Sequence, residues 1–135
     1  LPLKKAVVIE PKHNALGNLI LCNNKGALIS PLISKYKEKI EEALKVKAVV
    51  GKIAGMNLVG ALAVANNKGA AVHPEATEEE LKTISKALKV NADYGQICKS
   101  GFLGSLSVAT DDLLVISPSA IGPEMAVVSE ILEIE

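Results

Sequence analysis

A stretch of the sequence, residues 17–27, occurs a second time at residues 60–70 with few changes. The first copy is GNLILCNNKGA and the second is GALAVANNKGA. A third copy is recognisable from its leading glycine, because Gly17, Gly60 and Gly104 are 43 and 44 residues apart. Units of this size bury their apolar faces mainly against neighbouring units. The chain is therefore predicted to form one continuous array of three units.

Each unit begins with a pattern that predicts a β-hairpin. In the second unit, the apolar run at residues 58–65 has the length of a strand and ends at the turn Asn66-Asn67-Lys68-Gly69. The Asn-x-x-Gly spacing is typical of a type I turn closed by a glycine in the left-handed region. The return strand, residues 70–73, ends at Pro74, which has no amide hydrogen to donate to a sheet.

A helix and a third strand follow each of the first two hairpins. Thr77 and Glu80 have the spacing of a capping box. The helix is indicated by apolar residues at helical spacing, which are Leu81, Ile84 and Leu88. Short strands are predicted after the helices, at residues 47–52 and 91–97. The predicted fold class is therefore α/β, built from strand-strand-helix-strand repeats.

The third unit departs from this pattern in its turn and at the start of its helix. Its turn, residues 110–113, is Thr-Asp-Asp-Leu, so the glycine is lost. Because a leucine at positive φ is strained, we expect Asp112 to occupy the left-handed region. Its helix begins at Gly122-Pro123-Glu124, where we expect Gly122 to be the cap and Glu124 to face the positive end of the helix dipole.

The strand after the leading glycine has one large and one small face in the last two units. Leu62 and Val64 alternate with alanines in the second unit, and Leu106 and Val108 alternate with small residues in the third. We expect the large face to contact helices. The small face would then point toward the axis of the array, where several strands converge.

The repeat also predicts the boundaries of the units. Residues 5–8, Lys-Ala-Val-Val, match residues 47–50 at the end of the first unit, and we expect them to be a closing strand of the kind that the third unit lacks. Two arrangements are open: residues 3–10 complete the third unit and close a ring of three, or the chain is the remainder of a longer array. The predicted organisation is a single repeat domain with a closing strand at 1–12 and repeats at 13–55, 56–101 and 102–135, called below the first, second and third units.

Composition and charge argue against several classes of function. The chain has 135 residues, 49% of them hydrophobic, and a mean hydropathy of +0.30, which is typical of a globular protein. The formal net charge is zero and all 15 basic residues are lysine, so neither counterion release nor bidentate arginine contacts favour nucleic-acid binding. Cys22 and Cys98 lack CxxC spacing, which indicates buried thiols in a reducing, cytoplasmic setting. No apolar run approaches the roughly 20 residues of a membrane span, and we expect neither membrane association nor a signal peptide.

Few residues could support catalysis. The candidates are two cysteines and two histidines, Cys22, Cys98, His13 and His73. Catalysis would require a cysteine thiol within hydrogen-bonding distance of a histidine imidazole, and their spacing in the sequence does not enforce this. Gly51-Lys52 lacks the earlier glycine of a phosphate-binding loop. We therefore expect no enzymatic activity, no cofactor and no metal site, and we attribute the repeated Asn-Asn-Lys-Gly to turn geometry.

Several strings, taken together and in order, are specific to one family. They are Asn14-Ala15-Leu16-Gly17-Asn18, the two Asn-Asn-Lys-Gly turns with Pro31 and His73-Pro74 after them, Val59-Gly60, and Ile121-Gly122-Pro123-Glu124. In these strings the chain resembles the archaeal and eukaryotic translation initiation factor six family over essentially its whole length, as the last three of five units. The resemblance implies a pentein-like α/β propeller, in which a ring of such units surrounds a central channel. It also implies a protein that is not an enzyme and that holds the large ribosomal subunit apart from the small one.

The resemblance further implies where a partner binds. The family meets a ribosomal protein of the large subunit through the end of the ring that contains the Ala-Leu-Gly-Asn segment. The corresponding residues here are Leu16, Gly17 and Asn18, with the equivalent sets Val59, Gly60, Ala61 and Leu103, Gly104, Ser105. Asn18 is the leading candidate because Ala61 and Ser105 replace it in the other units, so the fold requires no amide there. A structural role, in which the amide caps a nearby backbone group, is the alternative.

Other outcomes remain open because only three units are present. The chain either closes alone or self-associates. A second class of function is a truncated or engineered pentein-type scaffold without binding activity. A third class is that of pentein relatives that modify guanidino groups through cysteine, histidine and acids, but no such set can be matched in this sequence.

Overall fold

The computed structural model describes residues 6–12 and 14–135. Within them the chain has a mixed α/β fold, with short 3-10 helices at Leu16–Asn18 and Pro31–Tyr36. The strands are β1 (Ile20–Cys22), β2 (Gly26–Ile29), β3 (Lys47–Val50), β4 (Ala63–Ala65), β5 (Gly69–Val72), β6 (Asn91–Tyr94), β7 (Ser107–Ala109) and β8 (Leu114–Ile116). The α-helices are α1 (Lys37–Leu44), α2 (Glu78–Leu88), α3 (Leu103–Leu106) and α4 (Gly122–Ile131).

The strands form three small sheets, one in each unit. In the first sheet β1 pairs antiparallel with β2, and β2 pairs parallel with β3, so that Leu28 lies opposite Leu21 and Val49. The second sheet repeats this arrangement with β4, β5 and β6. In the third sheet β7 and β8 form an antiparallel pair, with Val108 opposite Val115. The order strand, strand, helix, strand thus occurs in the first two units, and the described part of the third unit has the hairpin and the helix.

The leading glycine of the second unit lies in a helical turn that precedes the strand. Ala61 and Leu62 donate their N–H groups to the carbonyl oxygen of Leu58, at 3.0 and 3.2 Å. β4 therefore begins only at Ala63, and the prediction of a strand over residues 58–65 is wrong for its first half. An apolar run does not distinguish a buried turn from a buried strand, because both exclude water.

The helices pack between neighbouring sheets. Helix α2 contacts β5 of its own unit and β2 of the first unit, and α4 contacts β5 of the second unit. Both faces of β4 are consequently covered: Ala63 lies in the same core as Ile84 of α2, and Val64 lies in the same core as Val128 of α4. The expectation that the large face alone contacts helices is therefore wrong for Ala63, a small-face residue that lies in the same core as Ile84 of α2.

The turn asparagine of the second unit joins two units. Asn66 Oδ1 accepts hydrogen bonds from the N–H groups of Lys68 and Gly69, each at 2.9 Å, and these bonds close its own turn. Asn66 Nδ2 donates to the carbonyl oxygens of Thr110 and Leu132 in the third unit, at 3.1 and 2.9 Å. The asparagine is therefore fixed by contacts between units as well as by turn geometry.

The first unit has the same connection, and the glycine of each turn allows it. Asn23 donates to carbonyl oxygens of the second unit and accepts from two N–H groups of its own turn. Neither Gly26 nor Gly69 has a positive φ, so the prediction of a left-handed glycine is wrong. A Cβ atom on Gly26 would overlap the carbonyl oxygen of Ala87, and one on Gly69 would overlap that of Ile131. Glycine is required because the end of the next helix lies against the strand.

The third turn is closed by a hydroxyl group. Thr110 Oγ1 accepts hydrogen bonds from the N–H groups of Asp112 and Leu113, at 3.3 and 3.1 Å. Asp112 does not have a positive φ, so its predicted left-handed conformation is wrong. The predicted cap is also wrong, since Ile121 is the N-cap residue of α4 and Gly122 is its first helical residue.

The N-terminal segment lies against the first unit. Residues 6–12 contain no strand, and Ile9 packs against the core of the first unit. The Tyr36 hydroxyl donates a hydrogen bond to the carbonyl oxygen of Glu10 at 2.6 Å. Pairing of this segment with the third unit of its own chain is therefore not present among the described residues, and residues 1–5 lie outside them.

One glutamate in each of the helices α2 and α4 binds the tight turn that precedes the unit of that helix. The predicted capping box of Thr77 and Glu80 is confirmed, with bonds of 2.8 and 3.0 Å in the two directions. Glu80 also accepts from the N–H groups of Ala54 and Gly55, which have φ of 53° and 70°. A non-glycine residue at positive φ is strained, and the carboxylate offsets this by binding both turn amides.

Glu124 does the same for the turn at Cys98 and Lys99, where φ is 55° and 58°. It accepts hydrogen bonds from the N–H groups of Cys98, Lys99 and Ile121, at 2.8, 2.7 and 3.1 Å. The N–H donors of Lys99 and Ile121 lower the pKa of the Glu124 carboxyl below its ordinary value. The charged form is thus favoured in the folded state.

We expect Glu124→Gln to lower the melting temperature at neutral pH, because one amide oxygen replaces two carboxylate oxygens that serve three donors. Since the folded pKa is depressed, this contribution is fully present above the ordinary glutamate pKa of about 4.3 and is lost as the pH falls through the folded value. Thermal melts from pH 7 to pH 3 should therefore show a difference that shrinks on acidification. Glu130→Gln on the same helix is the matched control, and a constant difference at all pH values would contradict the assignment.

Candidate functional site

Three helical turns lie side by side and form the candidate site. They are residues 16–18, 59–61 and 103–105, called here the turn row. Gly60 donates its N–H group to the carbonyl oxygen of Asn18, and Gly104 donates to that of Ala61, both at 3.0 Å. A Cβ atom on Gly60 would overlap the carbonyl oxygen of Gly17, and one on Gly104 would overlap that of Gly60. The glycines thus let successive turns stack.

The nine predicted site residues of the turn row differ in accessibility. The exposed residues are Gly17 and Ser105, and the partly buried ones are Leu16, Asn18, Gly60 and Gly104. Three side chains are buried in the cores: Val59 at 0%, Leu103 at 0% and Ala61 at 3% exposure. The side chains of these last three are not available to a partner, so contacts at this end of the fold would come from the other six.

The side-chain amide of Asn18 has no hydrogen-bond partner among residues 6–12 and 14–135. Its backbone is engaged, because its N–H group donates to Ala15 and its carbonyl oxygen accepts from Gly60. Its side chain makes no hydrogen bond to any of the described residues, whereas Asn23 and Asn66 use theirs fully. The alternative role as a backbone cap has no support among these residues.

Two further residues at the turn row were missed. Leu58 and Phe102 each precede the buried first residue of a turn, and they are 38% and 40% exposed. The Phe102 ring lies edge-on to the ring of His73, with centroids 6.3 Å apart. Comparing the residue before each turn across the three units would have found them, since the first unit has the smaller Ala15 there.

The thiols and the described imidazole have separate structural environments. His73 is 9% exposed, and its Nδ1 atom accepts a hydrogen bond from the N–H group of Glu75 at 3.0 Å. The Cys98 thiol lies 3.6 Å from the Ser117 hydroxyl, within hydrogen-bonding distance for sulfur. Of the predicted candidates, His13 lies outside the described residues. His73 is thus engaged as an acceptor at the end of β5, and no carboxylate of the described residues forms a hydrogen bond with it.

Cys22 lies at the opposite end of the fold, where the hairpin turns line a cavity of about 620 Å³. The Cys22 side chain is exposed, so the prediction of a buried thiol is wrong for this residue. Neighbouring protein atoms still desolvate its sulfur in part, which raises the pKa of the thiol above its ordinary value. A raised pKa disfavours the thiolate, which is the nucleophilic form. The cavity is otherwise lined by turn residues such as Asn24, Asn67 and Asp111.

Two features are absent from residues 6–12 and 14–135. No three histidine, cysteine, aspartate or glutamate side chains are grouped as a metal site would require. No helix in the same ranges has the length and apolar character needed to cross a bilayer.

Comparison with known proteins identifies the family. A model of the eIF-6 family matches residues 3–131. Translation initiation factor 6 of Methanocaldococcus jannaschii is 44% identical over 75 residues, which are 56% of this chain and 33% of the relative. The proteins of the same name from Pyrobaculum aerophilum and Pyrococcus horikoshii are 46% and 43% identical over 79 and 82 residues, which are 58% and 60% of this chain and 36% of each relative. The matched part of the chain spans about a third of the length of these relatives. Because the family match extends over most of its residues, the chain belongs to the eIF-6 family.

Proposed function

We propose that this chain acts in translation initiation by binding the large ribosomal subunit, mainly through a ribosomal protein, and preventing its association with the small subunit. Membership of the eIF-6 family and relatives named translation initiation factor 6 support a role in translation. The binding of a ribosomal subunit and the anti-association activity are the parts that need testing. A cytoplasmic location follows from this role.

The proposal includes a pentein-like arrangement of the units. Two features support it: the same contact recurs between the first and second units and between the second and third, and each contact combines a stacked glycine turn with a bridging asparagine. A contact that is repeated with the same geometry rotates each unit by a similar amount relative to the last, which generates a curved array. In such an array the members of the turn row share one end.

The proposed binding site rests chiefly on the amide of Asn18, for which the described part of the chain provides no hydrogen-bond partner. A polar side chain without an intramolecular partner can form hydrogen bonds with another protein at no cost to the fold. The exposed Leu58 and Phe102 add apolar area to the same row, and large apolar and aromatic side chains are typical of the centres of protein interfaces. With zero net charge and no arginine, the chain fits a protein surface better than an RNA backbone.

Co-sedimentation with purified large ribosomal subunits tests the proposal. We expect the wild-type chain to bind and Asn18→Ala to weaken binding by about 1 kcal/mol, the loss of one interfacial hydrogen bond, with an unchanged melting temperature. Asn91→Ala is the matched control, because Asn91 is exposed, makes no side-chain hydrogen bond within the described residues and lies beside Lys25 and Asn67 near the hairpin turns.

The possible outcomes separate the parts of the proposal. A wild-type chain that does not sediment with the subunits would contradict the function and favour a scaffold without binding activity. Normal binding by Asn18→Ala with a lower melting temperature would instead assign Asn18 to the fold. If Asn18→Ala and Asn91→Ala weakened binding to the large subunit equally, the turn row would not be the contact surface.

A further inference from the structure

Strand β8 has one unpaired edge in the described part of the chain. In the first two units the second strand of the hairpin is the central strand, because β3 and β6 pair with it in parallel. Strand β8 pairs only with β7 among the described residues. The side chains on its outer face are accessible, with Val115 and its opposite residue Val108 60% and 67% exposed. An exposed strand edge with apolar side chains is a template for another extended segment.

Residues 6–8 have the sequence of the strand that occupies this edge in the first unit. They are Ala-Val-Val, as are residues 48–50 of β3, which lie opposite residues 27–29 of β2. Val7 and Val8 are 42% and 66% exposed, and neither lies in a strand. The segment lies beside α1 of the first unit, where it lines a groove with Lys39 and Glu42. It is therefore an accessible β-forming segment on a different unit from β8.

We propose that residues 6–8 of one molecule pair in parallel with β8 of a second copy of this chain. By the register of the first unit, Ala6 lies opposite Leu114, Val7 opposite Val115 and Val8 opposite Ile116. Strand addition of this kind gains main-chain hydrogen bonds and buries alternate side chains. The donor segment and the acceptor edge are different surfaces of the described residues, so the contact is heterologous and extends to short chains as the concentration rises.

The contact is limited to the strand edge, because the third unit does not accept a following helix as the other units do. Leu113 stands where Gly26 and Gly69 stand in the other turns, and those positions lie against a helix carbonyl without room for a Cβ atom. Thr110 also lacks the amide with which Asn23 and Asn66 bind the following unit. Helix α1 of the second copy is thereby kept from packing on β8, and the association is weak.

Sedimentation velocity over a wide range of protein concentration tests this proposal. We expect concentration-dependent association of the wild-type chain, weakened about threefold by Val7→Glu alone and by Val115→Lys alone, because each puts an unpaired charge beside an apolar residue. The double variant Val7→Glu/Val115→Lys should recover association, since the register places the two charges opposite each other. Val127→Lys, which places a charge at a 46% exposed valine on α4, is the control and should associate like the wild type.

Three results would overturn the proposal: a wild-type chain that stays monomeric at every concentration, association that is indifferent to both single changes, or a double variant no better than the singles. Leu113→Gly provides a second test, because removing the side chain should allow α1 to approach and should strengthen association. Weaker association of Leu113→Gly would mean that Leu113 itself makes the contact. The proposal is independent of ribosome binding, so neither failure bears on the other.

Discussion

Gly60→Ala is expected to destabilise the fold severely, although alanine is a conservative change elsewhere in a protein. The Cβ atom would overlap the carbonyl oxygen of Gly17 and would also lie 2.7 Å from that of Ile20. Both atoms belong to the backbone, so no side chain can move aside, and the first and second units must separate. Insertion of a methyl group into a rigid contact costs about 3 kcal/mol or more.

Gly17→Ala is the matched control, because a Cβ atom there meets nothing within 4 Å. Alanine also loses less backbone entropy on folding, so this variant should be as stable as the wild type or about 0.5 kcal/mol more stable. Urea unfolding monitored by circular dichroism measures both changes. Similar stabilities of Gly17→Ala and Gly60→Ala would show that the turns do not stack as described.

Features that depend on neighbouring residues in the sequence could be predicted well. The capping box of Thr77 and Glu80 forms as expected, since both partners lie in the same helical turn. The strands that follow the helices also occur, at Lys47–Val50 and Asn91–Tyr94. Both strands begin at the predicted residue, because the repeat compares like positions in different units, but they end at Val50 and Tyr94, before the predicted ends at residues 52 and 97.

Features that depend on the contact between units could not be predicted from one unit. The glycines Gly26 and Gly69 were assigned to a turn with positive φ, but they serve the close approach of the next helix. The partners of Asn23 and Asn66 are 43 to 66 residues away in the sequence, and no local rule includes them. The repetition of the Asn-Asn-Lys-Gly string could have indicated that the first asparagine contacts another unit, because a turn alone does not require asparagine at that position.

The structure brings the nine predicted residues together in the turn row, but their accessibility could not be predicted from the sequence. Val59 and Leu103 were included by repeat equivalence with Leu16, yet they are fully buried while Leu16 is partly exposed. Val59 and Leu103 are buried because the turns of the second and third units are each covered by the preceding unit in the array. The exposed neighbours Leu58 and Phe102 were missed for the same reason, since the contact that buries the next residue is not visible in the sequence.

Asn66→Ala should cost about 3 kcal/mol of unfolding free energy, because a 4% exposed side chain would lose two donated and two accepted hydrogen bonds. The change also removes a donor from the buried carbonyl group of Leu132 and from the less buried one of Thr110. Asn66→Thr separates the two roles of this residue. A hydroxyl closes the third turn at Thr110, so threonine at position 66 should keep the turn and lose the bonds to the third unit.

We therefore expect Asn66→Thr to recover part of the loss and to remain about 2 kcal/mol less stable than the wild type, which is the cost of two unpaired carbonyl acceptors. The reciprocal change Thr110→Asn should not stabilise the chain, because no following unit offers carbonyl acceptors to it among the described residues. Urea unfolding of the three variants gives the comparison. If Asn66→Thr were as stable as the wild type, the side chain would act only on its own turn. The cohesion between the second and third units would then come from their other contacts, which include the bond from Gly104 to Ala61 and the apolar core that Val64 shares with Val128.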